Sequence, residues 1–169
     1  MTEAQSNQIR LAQLLQLVQR QDAHLLAVRQ RLLDDDCVVD ASRLQALLAG
    51  TLGIDRLESF AAKFARMQDI TVDKLIPVLL HTAGEPVLAA IDNLNRMERL
   101  GLIVSAGQWQ QMRGLRNRLV HEYFDRPADL APALQRACEF TSRMHADFQS
   151  MQHYAVTHLR ISLNRDDRA

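Results

Sequence analysis

Apolar residues recur along this chain at three- and four-residue intervals almost from end to end, and no segment alternates with the two-residue period of a half-buried strand. A repeat near 3.6 residues buries one stripe of a helix and offers nothing to a sheet. The fold class that follows is all-α. Helices of the lengths seen here, joined by short turns, pack as antiparallel bundles, so an antiparallel helical bundle of about five helices is expected. An aromatic content of 5% suits a core packed from Leu and Ala better than a sandwich. The length of 169 residues fits one domain, placed at 1–163, with 164–169 as a polar tail.

The stripes locate the elements. A first helix is predicted from about Glu3 to Leu33, with Leu11, Leu14, Leu15, Val18, Leu25, Leu26 and Leu32 as its apolar stripe, ended by Asp34-Asp35-Asp36. Asp40 is a good N-cap for a second helical region, in which Gly50 and Gly53 predict a weakening or a break. Thr71 is expected to cap a short helix, Val72 to Thr82, in which Pro77 predicts a kink or an early boundary and Gly84 a stop. Pro86 fits the first turn of a helix carrying Val87, Leu88, Ile91, Leu94 and Met97 and ending at Gly101. Ser105 and Gln108 form a capping-box pair for a helix from about Ala106 to His121. A long last helix is expected from about Ala128 to His158.

Charge limits the function classes. The formal net charge is +0, so the chain is no polycation, and any contact with nucleic acid has to use a local patch. Of 20 basic residues only Lys63 and Lys74 are lysines, leaving 18 arginines, which present planar forks of donors to phosphate; a coding bias toward Arg, Ala and Leu accounts for that ratio equally well. Cys37 and Cys138 stand too far apart for a CxxC or zinc-ligand pattern. Their number, with no recognisable secretory leader, leads us to expect a reducing cytoplasm. The longest apolar run, Leu75 to Leu80, is too short to span a bilayer.

The chemistry concentrates in Arg116-Asn117-Arg118-Leu119-Val120-His121-Glu122-Tyr123. Asn117 and His121 are four apart and share a helix face, whereas Arg116 and His121 stand roughly 140° apart around an ideal helix. They converge on one ligand only if the helix ends near His121 or long side chains reach across. Arg113 extends the positive surface by one turn. A helix C-terminus also favours a protonated histidine. In the RNA-cleaving hypothesis, His121 exchanges a proton with a 2′-hydroxyl or a leaving 5′-oxygen. Arg116 stabilises charge on the phosphate oxygens, and Asn117 orients the histidine or the sugar. A symmetric dimer would supply a second histidine and a cleft. The plainer alternative is a capping histidine beside arginines that complement the helix dipole.

Arg116, four residues, His121, one residue, then Tyr123 resembles the signature of HepT-like toxins of the HEPN superfamily. The stretch Phe60 to Asp69, with Gly84-Glu85, Glu98 to Gly101 and Trp109, falls in the order seen in these proteins, and the likeness covers roughly residues 10 to 150. It implies a helical homodimer with two motifs facing a shared cleft. It implies a metal-independent endoribonuclease acting on tRNA or mRNA, the toxin of a type II or type VII-like toxin–antitoxin pair. It implies a small nucleotidyltransferase antitoxin that transfers AMP to the motif tyrosine, here Tyr123. Arg116 and His121 would be catalytic, with Asn117 and Arg113 in support, and no cofactor or metal is called for.

Two alternatives differ in class. One is a non-catalytic nucleotide- or substrate-binding subunit of a nucleotidyltransferase, with Arg116 and Tyr123 as contacts. The other is a helical interaction protein with no site. A metal site is disfavoured, because His145, His153 and His158 are spaced eight and five apart rather than at the i,i+4 interval of a helical pair. These three histidines, like His24 and His81, are expected to be surface or core residues. Trp109, the only tryptophan, is expected in the core rather than stacked on a base.

Overall fold

The computed structural model describes residues 2–121 and 127–163, with residues 120, 121 and 127 described by their backbone alone. Among the described residues the chain is helical, without a strand, as the periodicity predicts. Its elements are α1 (Glu3–Leu33), α2 (Ala41–Leu48), α3 (Thr51–Ile70), a wide π-turn (Thr71–Leu75), α4 (Ile76–Thr82), α5 (Ala90–Arg99), α6 (Ala106–His121) and α7 (Pro127–Thr157). No described helix is long and apolar enough to cross a membrane.

The helices group into two compact units. The first comprises residues 1–20, 69–106 and 146–169, and the second residues 21–68 and 107–145. In the first unit Leu11, Leu15 and Val18 are buried, as are Leu75, Leu79, Met97 and Met151. The buried Asp147 accepts a hydrogen bond from the Val104 amide at 3.3 Å, which fixes the approach to α6. In the second unit the core is aromatic. Phe60 stacks on Phe64 at 5.8 Å, and Phe140 meets Phe64 and Trp109 edge-on at 6.4 and 5.4 Å. Trp109 has no exposed surface, so the core placement expected for it holds.

Within the second unit α1 and α7 run antiparallel. Rising numbers on one meet falling numbers on the other: Asp22 bonds His145, and Arg29 donates to Ser142 and to the Cys138 carbonyl. Beyond α1, the Val39 amide donates to Gln135. Cys37 and Cys138 form a disulfide across this pairing, with Cα atoms 5.6 Å apart and 101 residues between them in sequence. Spacing rules for local thiol motifs cannot detect a pairing of that range.

The acidic run after α1 does end the helix. Asp34 turns into the left-handed region at φ 54°, where Asp is tolerated better than most residues. Arg43 then secures the corner. It donates to the carbonyls of Leu33 (2.6 Å), Val38 (2.9 Å) and Asp36 (3.3 Å), and lies within 4 Å of the Asp34 and Asp36 carboxylates. Asp40 caps α2 as expected, accepting from the Arg43 amide at 2.7 Å.

Each glycine stop has a physical cause. Gly53 lies in the first turn of α3, where an added Cβ would stand 1.9 Å from the Leu47 carbonyl oxygen. The α2–α3 corner closes only because that carbon is missing. Gly84 and Gly101 sit at φ 76° and 70°, each with the paired reverse hydrogen bonds of a left-handed C-terminal cap.

Two proline expectations are corrected. Thr71 starts no helix, since α3 runs on through the π-turn into α4, with the Ile76 amide bonded to the Thr71 carbonyl five residues back. The widened turn takes up the lost donor and bulky ring of Pro77 without ending the helix. Pro86 opens no helix either. Residues 85–89 are irregular and α5 begins at Ala90. The buried Asn93 accepts from the Leu88 amide at 2.8 Å and donates to its carbonyl at 3.0 Å, so Leu88 stays outside the helix. Val87, Leu88 and Ile91, expected on a buried stripe, are exposed.

Candidate functional site

The site begins with how α6 starts and what it packs on. The Glu98 carboxylate accepts from the Ala106 amide at 2.7 Å, satisfying one of the unpaired donors at the helix N-terminus. Trp109, Leu115 and Leu119 bury one side of α6, which fixes its rotation. The remaining positions follow by helical geometry. Asn117 and Arg118 are exposed, and Arg113 and Arg116 are half-buried, each engaging at least one partner.

Arg113, Arg116 and Asn117 therefore lie on the flank of one helix, which is described as far as His121. The backbone places His121 one turn beyond both Asn117 and Arg118. The His121 side chain and all of Tyr123 lie outside the described residues.

Three groupings escaped the sequence reading. The first is a facing pair of stripes in the second unit. Gln108, Gln111, Met112, Leu115 and Arg118 on α6 oppose Arg136, Glu139, Phe140 and Arg143 on α7, lining two adjoining depressions of about 250 and 300 Å³. The 136-139-140-143 spacing is a one-face helical pattern, and it was the only available signal. The second is a carboxylate–imidazole pair, Asp22 Oδ2 to His145 Nδ1 at 2.6 Å, with Asp22 buried. The third is Gln68, wholly buried in α3 with neither amide atom hydrogen-bonded among the described residues; nothing in the structure accounts for it.

An arginine for phosphate oxygens, an amide for hydroxyls, and a histidine one helical turn further along the chain are the residue types that can bind and cleave a phosphodiester. Comparison with known proteins points the same way. Residues 53–128 match the protein-family model described as ribonuclease HepT-like, and that span includes α6 and the full motif. No curated protein and no solved structure matches the chain.

Proposed function

We propose that this chain, HepT-like over residues 53–128, is an endoribonuclease that works through the Arg116–Tyr123 stretch. The observation that supports the reading most directly is the placement of Arg113, Arg116 and Asn117 on one flank of α6, inside the family-matched span.

In the proposed reaction a base removes the proton of an RNA 2′-hydroxyl, and the 2′-oxygen attacks the adjacent phosphorus. The bond to the 5′-oxygen breaks, and an acid returns a proton to that leaving group. The products are a 2′,3′-cyclic phosphate and a 5′-hydroxyl, and no water, metal or cofactor is consumed. His121 serves as base or acid, and Arg116 neutralises the charge that builds on the non-bridging oxygens. Asn117 and Arg113 orient the histidine and the strand. Two chains would supply one histidine for each proton transfer, so a symmetric homodimer with facing motifs is the natural form.

The biological setting that suits such an activity is a toxin restrained by a nucleotidyltransferase antitoxin. AMP carried on Tyr123 would place a phosphate two residues from His121 and compete with RNA for the motif cations.

Purified protein, made without its genomic neighbour and with an unmodified Tyr123 confirmed by intact mass, is expected to cut a mixed tRNA and mRNA pool in EDTA. His121→Ala and Arg116→Ala are expected to abolish cutting. A correctly folded, unmodified protein that leaves RNA intact would instead support the nucleotide-binding-subunit reading.

A further inference from the structure

Among the described residues, the facing stripes of α6 and α7 carry three guanidinium groups for one carboxylate. Arg118 stands at the motif end, and Arg136 and Arg143 lie one heptad apart on the opposite wall. Glu139 is held by Gln135, whose side-chain amide donates to it at 3.2 Å. Among the described residues no ion pair engages any of the three arginines. Three like charges around one depression give it a positive potential that favours an anionic ligand.

We propose that this groove is a binding track for the phosphate backbone of single-stranded RNA, leading into the motif. The inference rests on the ribonuclease reading and adds a subsite to it. Length and direction support it. Gln108 to Arg118 spans about 15 Å along α6, room for about 4 stacked nucleotides at roughly 3.4 Å each. His121 follows Arg118 by one helical turn, so a strand lying in the groove arrives at the proposed catalytic end. The floor, Met112, Leu115 and Phe140, is buried and apolar, so the arginines on the two walls supply the charge that holds the backbone.

A second copy of the chain is the competing occupant, and charge argues against it. A two-fold contact sets a patch against itself, so this groove would bring arginines against arginines.

The test reads binding in the His121→Ala background, in EDTA, with a fluorescently labelled single-stranded oligouridylate RNA and a salt titration. Adding R136E/R143E is expected to weaken binding about tenfold or more and to flatten the salt dependence by about 1.4 in log–log slope, for two lost phosphate contacts at roughly 0.7 each. R136Q/R143Q should do the same more mildly with an unchanged melting temperature, which separates the effect from misfolding. E139K is expected to tighten binding.

Equal affinity and slope in the charge-swapped protein would overturn the track, as would a variant that changes only the oligomeric state. Cleavage by the intact protein combined with that negative result would remove the groove and keep the nuclease. Groove-dependent binding by a protein that never cleaves would do the reverse.

Discussion

Arginine does two different jobs in two regions of the second unit. At the α1–α2 corner, Arg43 is spent inside the fold, its guanidinium shared among the carbonyls of Leu33, Asp36 and Val38 and flanked by Asp34 and Asp36. Along the α6–α7 groove, Arg118, Arg136 and Arg143 line open space, with Glu139 as the acidic neighbour among the described residues. The corner arginine replaces solvent for groups that the helix end leaves unsatisfied. Among the described residues the groove arginines have no such internal partner in an ion pair. Removal should therefore cost stability in the first region and ligand binding in the second.

The largest effect is expected at the motif. His121→Ala should reduce RNA cleavage by about 100-fold or more, the scale of a lost proton-transfer group, while the melting temperature holds. A comparable fall in both would make His121 a structural residue and erase the contrast with the corner.

The clasp across α1 and α7 comes next. A disulfide closing a loop of this length contributes about 4.7 kcal/mol in the chain-entropy description. Cys138→Ser should lower the melting temperature under non-reducing conditions and make it insensitive to reductant. Free thiols in the oxidised protein, counted by alkylation and mass, would contradict the pairing.

Gly53→Ala should destabilise by about 3 kcal/mol, because the new carbon meets backbone that cannot swing aside. Arg43→Ala should cost about 2 kcal/mol through its lost charge-assisted bonds to carbonyls, with RNA affinity unchanged. If RNA binding falls as far as stability does, the division between the two arginine sets fails. The smallest change is a gain. Gly114 lies inside α6 with open space where a Cβ would point, so Gly114→Ala should stabilise by about 1 kcal/mol, read in chemical denaturation.

Much of this fold is legible in the sequence, and what is not shares a cause. Helical periodicity, the Asp40 cap and the stops at Gly84 and Gly101 depend on neighbours within a few residues, and they come out as predicted. The two prolines mislead because each local signal has more than one solution. Pro77 is absorbed by a wide turn, and Pro86 stays outside a helix because Asn93, seven residues on, ties up the backbone of Leu88. The disulfide and the Asp22–His145 pair join residues 101 and 123 positions apart, and the groove exists only where α6 and α7 face each other. No local spacing encodes these pairings. The motif was visible as a string, and the burial of Trp109, Leu115 and Leu119 sets the rotation of α6 that puts Arg113, Arg116 and Asn117 on one flank.

The most direct test of that geometry is the chemistry of the cut. An oligoribonucleotide carrying one cleavable site should be digested in EDTA, and its ends identified by mass. A 2′,3′-cyclic phosphate and a 5′-hydroxyl, with no cutting when the site carries a 2′-deoxy sugar, is the expected result. A 5′-phosphate product, or cleavage that survives both the 2′-deoxy sugar and His121→Ala, would contradict a 2′-hydroxyl attack assisted by His121.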